Sequence, residues 1–160
     1  MGTSLRRLRG SRWLPALLFV HLLFLCGCGD GRPRRVPVSG QVLIDGKPLG
    51  TGFIRLVPDD SRLATGTIDK QGRFRLTTFD PDDGCVLGTH QVEVTAIQTM
   101  SPTKIRYLVP KKYQQASTSG LSVKIDGPTD SLVIKLSWEG GAPFVEESDA
   151  GGDVDPARMN

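Results

Sequence analysis

Histidine occurs only at His21 and His90, and asparagine only at Asn160, in a chain of 160 residues. So few imidazoles remove most ways of building a hydrolase triad or a histidine-based zinc site. Aromatic residues make up only 6% of the chain, while 19 glycines and 11 prolines make turns abundant and work against long helices. Charge of one sign is also missing. The net +3 arises from Arg6, Arg7, Arg9 and Arg12, which precede an apolar run; the chain after residue 27 carries 16 basic against 17 acidic side chains. A nucleic-acid partner is therefore disfavoured, because such a partner calls for a basic face.

What is present begins with an address. Met1 to Arg12 holds four arginines and no acid, and Trp13 to Leu25 is mostly apolar, broken by Pro15 and His21. That order is a signal peptide, and the apolar run is too short for a spanning helix of about twenty residues. The segment resembles a bacterial lipoprotein signal, in which Leu25, Cys26 and Gly27 precede the modified cysteine, Cys28. The resemblance implies cleavage between Gly27 and Cys28, a thioether-linked diacylglycerol on Cys28 and a palmitate-type chain on its new amino group. Anchoring by two or more acyl chains is stable, where a single chain is marginal. The implied location is the extracytoplasmic face of a bacterial cell envelope, with the membrane as a partner through the lipid. An ordinary cleaved signal with free thiols is the alternative.

With Cys26 removed and Cys28 acylated, Cys85 is the one thiol left, and no intramolecular disulfide forms. Cys85 stands in Asp-Asp-Gly-Cys-Val-Leu with no nearby base, so a buried small hydrophobe is expected rather than a reactive thiol.

After a polar tether over 28–35, the body over 36–138 alternates in strand fashion. Val36 to Ile44 ends at Asp45-Gly46-Lys47-Pro48 and pairs, by expectation, with Gly52 to Val57 in a first hairpin. A second hairpin joins Ala64–Ile68 to Arg73–Thr77 through Asp69-Lys70-Gln71-Gly72. Further strands are expected at His90–Ala96, Leu121–Ile125 and Ser131–Trp138. About seven strands with closely spaced turns predict an all-β fold, a seven-stranded antiparallel β-sandwich of immunoglobulin-like type. The expected inward residues are Val42, Ile44, Phe53, Leu56, Phe74, Leu76, Val92, Val94, Val123, Ile125, Val133 and Leu136.

Val38-Ser39-Gly40-Gln41-Val42, Asp45-Gly46-Lys47-Pro48-Leu49, Thr67-Ile68-Asp69-Lys70-Gln71-Gly72-Arg73-Phe74 and Gly88-Thr89-His90-Gln91-Val92-Glu93-Val94 follow one another in an order that resembles carboxypeptidase regulatory-like domains. These are transthyretin (prealbumin)-like sandwiches, similar also to Cna B-type modules, and the likeness covers about Val36 to Ala96. With Pro110-Lys111-Lys112-Tyr113 and Ser119-Gly120-Leu121 the chain looks like planctomycete-type small lipoproteins as far as Trp138. His90 replaces the usual tyrosine of the family pattern. The lone Asn160 lies outside the domain, which removes the Lys–Asn isopeptide bond that Cna B-type modules often close.

Few constellations carry chemistry. His90 would have to serve any hydrolytic site, yet it stands on a strand and no Gly-x-Ser-x-Gly elbow exists, so a structural histidine and no enzyme activity are expected. Asp80-Pro81-Asp82-Asp83-Gly84 clusters three carboxylates but lacks the spacing of a calcium loop, and reads as a solvated turn. No metal or cofactor is expected. The 23 residues from Gln98 to Gly120 exceed the usual connection length and hold both tyrosines with Lys104, Arg106, Lys111 and Lys112 and no acid. Arg106, Tyr107, Lys111, Lys112 and Tyr113 are thus the candidate partner-binding residues, for a surface glycan, a headgroup or an acidic protein. The competing reading is a crossover that closes the sandwich, with one tyrosine plugging its edge. Residues 139–160, with Glu146, Glu147, Asp149, Asp153 and Asp155, read as an acidic disordered tail. The functional expectation is a non-enzymatic, membrane-anchored binding or structural accessory module, with a carbohydrate or surface-polymer binding module as the alternative.

Overall fold

A computed structural model of the protein describes residues 31–148. The expected signal peptide, its cleavage site at Gly27 and Cys28, and residues 149–160 of the tail lie outside the described residues. By its internal contacts the chain divides after Arg32, and every strand described lies in the unit that begins at Pro33.

The fold is all-β. Its strands are β1 (Arg35–Val36), β2 (Val38–Ile44), β3 (Lys47–Pro48), β4 (Gly52–Pro58), β5 (Ala64–Ile68), β6 (Arg73–Arg75) and β7 (Cys85–Val86). They continue as β8 (Gly88–Thr95), β9 (Ile97–Ser101), β10 (Lys104–Tyr107), β11 (Ser122–Ile125), β12 (Thr129–Leu136) and β13 (Phe144–Glu147). A 3₁₀ turn at Lys111–Gln114 and one α-helical turn, α1 (Ala116–Ser119), are the helical elements among the described residues. No helix there is long and apolar enough to cross a membrane.

One sheet has the order β11-β8-β4-β5, and a second places β2 between β12 on one side and both β3 and β6 on the other. Their inward side chains meet in one core, with Val38, Val42, Phe74, Ile134 and Leu136 from the second sheet against Ile54, Leu56, Ala64, Ile68, Val92, Val94 and Ile125 from the first. Each fully buried aliphatic side chain contributes about 1.5–3 kcal/mol, which is how a domain without disulfides holds together. A smaller sheet, β13-β10-β9, continues from the end of β8.

The chain reversals read from sequence are present, but they do not make the expected hairpins. The turn after β2 takes positive φ at Asp45 (47°) and Gly46 (77°), a conformation that Asp-Gly suits. It returns the chain only for β3; β4 then crosses to the other sheet, where it pairs with β5 and β8. Likewise β5 pairs with β4 while β6 pairs with β2, and the bridge from Thr65 reaches Thr77, just past the end of β6. Turn chemistry encodes a reversal, whereas the choice of partner depends on which faces must be buried. The pairing is also not wholly antiparallel, since β12 runs parallel to β2. Gly40 permits it: a Cβ there would lie 1.9 Å from the Leu132 carbonyl oxygen, at the irregularity in β12.

Two inward assignments are corrected. Phe53 is 58% exposed and Val133 46% exposed. The reason is parity: a strand turns alternate residues to opposite faces, so Phe53 cannot share a face with Leu56, nor Val133 with Leu136. Ile44 and Val123 pack on the core only partly.

Candidate surface at the small sheet

The long connection over 98–120 resolves into three parts. β9 and β10 form a hairpin, the 3₁₀ turn follows, and α1 leads to β11. β11 pairs only with residues 88–91 of β8, so the rest of that edge is satisfied by the connection itself. Leu108 N donates to the Ala96 carbonyl at 2.9 Å, Ala116 N to the Glu93 carboxylate at 3.0 Å, and Val92 N to the Leu121 carbonyl at 3.0 Å. Backbone groups at a covered edge need such partners.

Tyr113 belongs to this closure. It is buried, its hydroxyl donates to the Ser137 carbonyl at 3.3 Å, and it accepts from Ser137 N at 3.2 Å. That leaves it no surface for a partner, and its place among the candidate binding residues is corrected to a core role.

Tyr107 faces outward. Opposite residues on paired strands share a face, so Ile97, Tyr107 and Phe144 form one row across the small sheet, and Thr99, Ile105 and Glu146 the next. The rings of Tyr107 and Phe144 stack at 4.9 Å with 15° between their planes, and Trp138 meets Phe144 edge-on at 6.4 Å. Lys111 Nζ lies 4.9 Å from the Tyr107 ring centre and 5.9 Å from that of Phe144. Arg106 is exposed on the opposite face, across from Val145.

The three lysines of the basic strip are paired with acids. Lys111 Nζ donates to both carboxylate oxygens of Glu146 at 2.7 Å, Lys112 pairs with Glu139, and Lys104 with Glu147 at 3.2 Å. The Glu146 hydrogen bond holds Lys111 above the usual lysine range, and Glu139 does the same for Lys112. Reciprocally, the bond to Lys111 and then that to the Tyr107 hydroxyl keep Glu146 below the ordinary carboxylate range, while Tyr107 is raised by Glu146. The acids come from the stretch read as a disordered tail. That reading is corrected for residues 144–147, which form β13, and the ladder ends with Ser148 N donating to the Thr103 carbonyl at 2.8 Å. The signal was present in Phe144-Val145-Glu146-Glu147, an apolar pair beside two acids, set against a basic strand with no acid of its own.

The remaining candidates fall elsewhere. His90 is buried with Nε2 2.9 Å from the Val86 carbonyl; a carbonyl only accepts, so Nε2 carries the proton and Nδ1 faces the interior without a hydrogen-bond partner. Cys85 is buried and its thiol is pushed up to about 11 by burial and by Asp83. Asp83, in the supposed solvated turn, accepts from the backbone amides of Thr78, Phe79 and Asp80 at 2.7–3.1 Å and from Arg35 Nε at 2.8 Å. A shallow hollow of about 550 Å³ lies over the outer side of β2, β6 and β12, lined by Ser39, Gln41, Arg73, Arg75, Ser131 and Val133 among others. Arg75 there pairs with Asp82 at 3.7 Å. No family model, curated protein or solved structure matches the chain.

Proposed function

We propose that the mature chain is a lipid-anchored, non-enzymatic binding or accessory module on the extracytoplasmic face of a bacterial envelope. In this reading its domain is the seven-stranded transthyretin-like sandwich of carboxypeptidase regulatory-like domains, with β2, β4, β5, β6, β8, β11 and β12 as the frame. Two sheets closing on one core support that assignment, and the parallel β12–β2 pair is the point at which it must bend.

The observation that carries the anchoring is the sequence Leu25-Cys26-Gly27-Cys28 placed just ahead of the first strand. Six residues, and so seven residue steps, separate Cys28 from Arg35 at the start of β1. At about 3.5 Å per extended residue, they hold the domain within about 25 Å of the lipid. The test is peptide mass spectrometry of the membrane fraction from a native-like host. An N-terminal Cys28 carrying acyl mass, lost in Cys28→Ala, is the expected result; an unmodified or uncleaved N-terminus overturns the anchor.

The surface-polymer alternative draws on the Tyr107–Phe144 stack, which is partly exposed and flanked by Trp138 and Lys111. Tyr107→Ser then lowers retention on envelope polysaccharide while leaving the melting temperature within a degree or two. Unchanged retention removes that alternative.

A further inference from the structure

β13 is attached unlike any strand of the core. All four of its residues are exposed, with Phe144 at 39% and Val145 at 50%, and its strand partner is β10 alone. What holds it is specific in kind: an antiparallel ladder, a ring on Tyr107, a carboxylate on Lys111 one face-row further along, and a carboxylate on Lys104. Exposed ion pairs and surface ladders contribute little individually, so this strand leaves without disturbing the core. Its connection to β12 turns sharply at Glu139 (φ 53°) and Gly140 (φ 88°), with Gly141 N donating to the Trp138 carbonyl at 2.9 Å.

Release uncovers a strand edge with a defined appetite. The freed edge of β10 offers unpaired backbone donors and acceptors, which is how strand addition recognises extended peptides. The side chains beside it are Lys104, Arg106 and Lys111 with the Tyr107 ring, and the segment over 98–120 has no acid of its own.

We propose that the β10 edge is a strand-addition site for an extended acidic segment of a partner protein, one bearing an aromatic residue followed two and three positions later by carboxylates, and that Phe144–Glu147 holds its place in cis. This rests on the reading that the small sheet is the docking surface of the module. Because a segment on a short linker acts at an effective concentration of about millimolar, a partner must bind more tightly than the placeholder or engage at several points.

The experiment uses the full mature chain with Cys28→Ser and, as probe, a fluorescent peptide of its own residues 141–148. In wild type the placeholder competes. The double variant Phe144→Ser, Glu146→Ser frees the edge, and is expected to bind the peptide at least about tenfold more tightly than wild type does. Adding Lys111→Glu abolishes binding, and a peptide with lysine at the position of Glu146 restores it. Circular dichroism and thermal melting establish that each variant is folded.

No binding to a folded double variant overturns the proposal, as does binding indifferent to the charge at position 111. Concentration-dependent dimerisation of wild type also overturns it, since the edge would then belong to a second copy. The broader reading fails separately: peptide binding persists even if Cys28 carries no lipid, and loss of envelope retention in Tyr107→Ser survives a failed peptide experiment.

Discussion

The carboxylate of Asp83 gathers the amides of Thr78, Phe79 and Asp80 and the guanidinium of Arg35, which also lies 4.8 Å from the centre of the Phe79 ring. Burial works to raise its pKa, but the three amide bonds and Arg35 prevail and hold it below the ordinary aspartate value of 3.8. A depressed folded value means the contribution to stability is present above 3.8 and is lost as the pH falls through the folded value. Asp83→Asn is therefore expected to cost about 1–3 kcal/mol at neutral pH and to flatten the loss of stability on acidification below about pH 4, read from urea midpoints across that range. Cys85 runs the other way. Its raised value, about 11 against 9.0, favours the neutral thiol, so its contribution is present below 9 and lost as the pH rises through 11. In the Cys28→Ser chain at pH 8, a thiol reagent is expected to label Cys85 only as denaturant opens the fold; rapid labelling of the native chain would contradict its burial. The burial of Cys85 was legible from its apolar, base-free neighbourhood. The role of Asp83 was not, because an Asp-rich turn reads alike whether its carboxylates face water or amides.

Among the elements, β2 and β12 are locked by the absence of a side chain. With 1.9 Å between a Cβ at position 40 and the Leu132 carbonyl, Gly40→Ala forces the parallel pair apart, at about 1–3 kcal/mol or more. Gly46→Ala has open space and pays only for its left-handed φ, about 1 kcal/mol. A melting comparison in which Gly46→Ala proves the more damaging would refute this ordering. The two tyrosines make a second contrast. Tyr113→Ala removes a buried ring from the crossover and is expected to cost about 3–5 kcal/mol, whereas Tyr107→Ala on the outward row stays within about 1 kcal/mol. Equal losses would place Tyr107 in the core. Sequence reasoning held both roles open for this segment, since period and composition mark a tyrosine as useful without saying which face it meets. The faces of β6 and β8 were legible because a clean alternation runs through Arg73-Phe74-Arg75-Leu76 and Gln91-Val92-Glu93-Val94.

At the scale of the whole molecule, the proposed anchoring and the folding are separable. Cys28 lies ahead of the first strand described, and among the described residues the core draws on none before Val36. In the native host, Cys28→Ser is expected to move the protein from the membrane to the soluble fraction with its melting temperature unchanged. A folded variant that stays with the membrane would show that the lipid is not what holds it there. The nearly balanced charge of the chain after residue 27 also acquires a spatial meaning, since the basic strip and the acids of the C-terminal segment neutralise one another on the small sheet.

By itself the sequence determined the all-β class, the places where the chain reverses, and the inward residues wherever alternation is unbroken. These are local properties: a turn and a period of two are each written within a dozen residues. Only the tertiary structure decided which strands pair, that β12 lies parallel to β2, that Tyr113 is core and Tyr107 surface, and that a segment written as an acidic tail becomes a strand on the basic edge. Each of those depends on contacts between residues far apart in the chain, where burial and charge complementarity choose among partners that local sequence leaves equal.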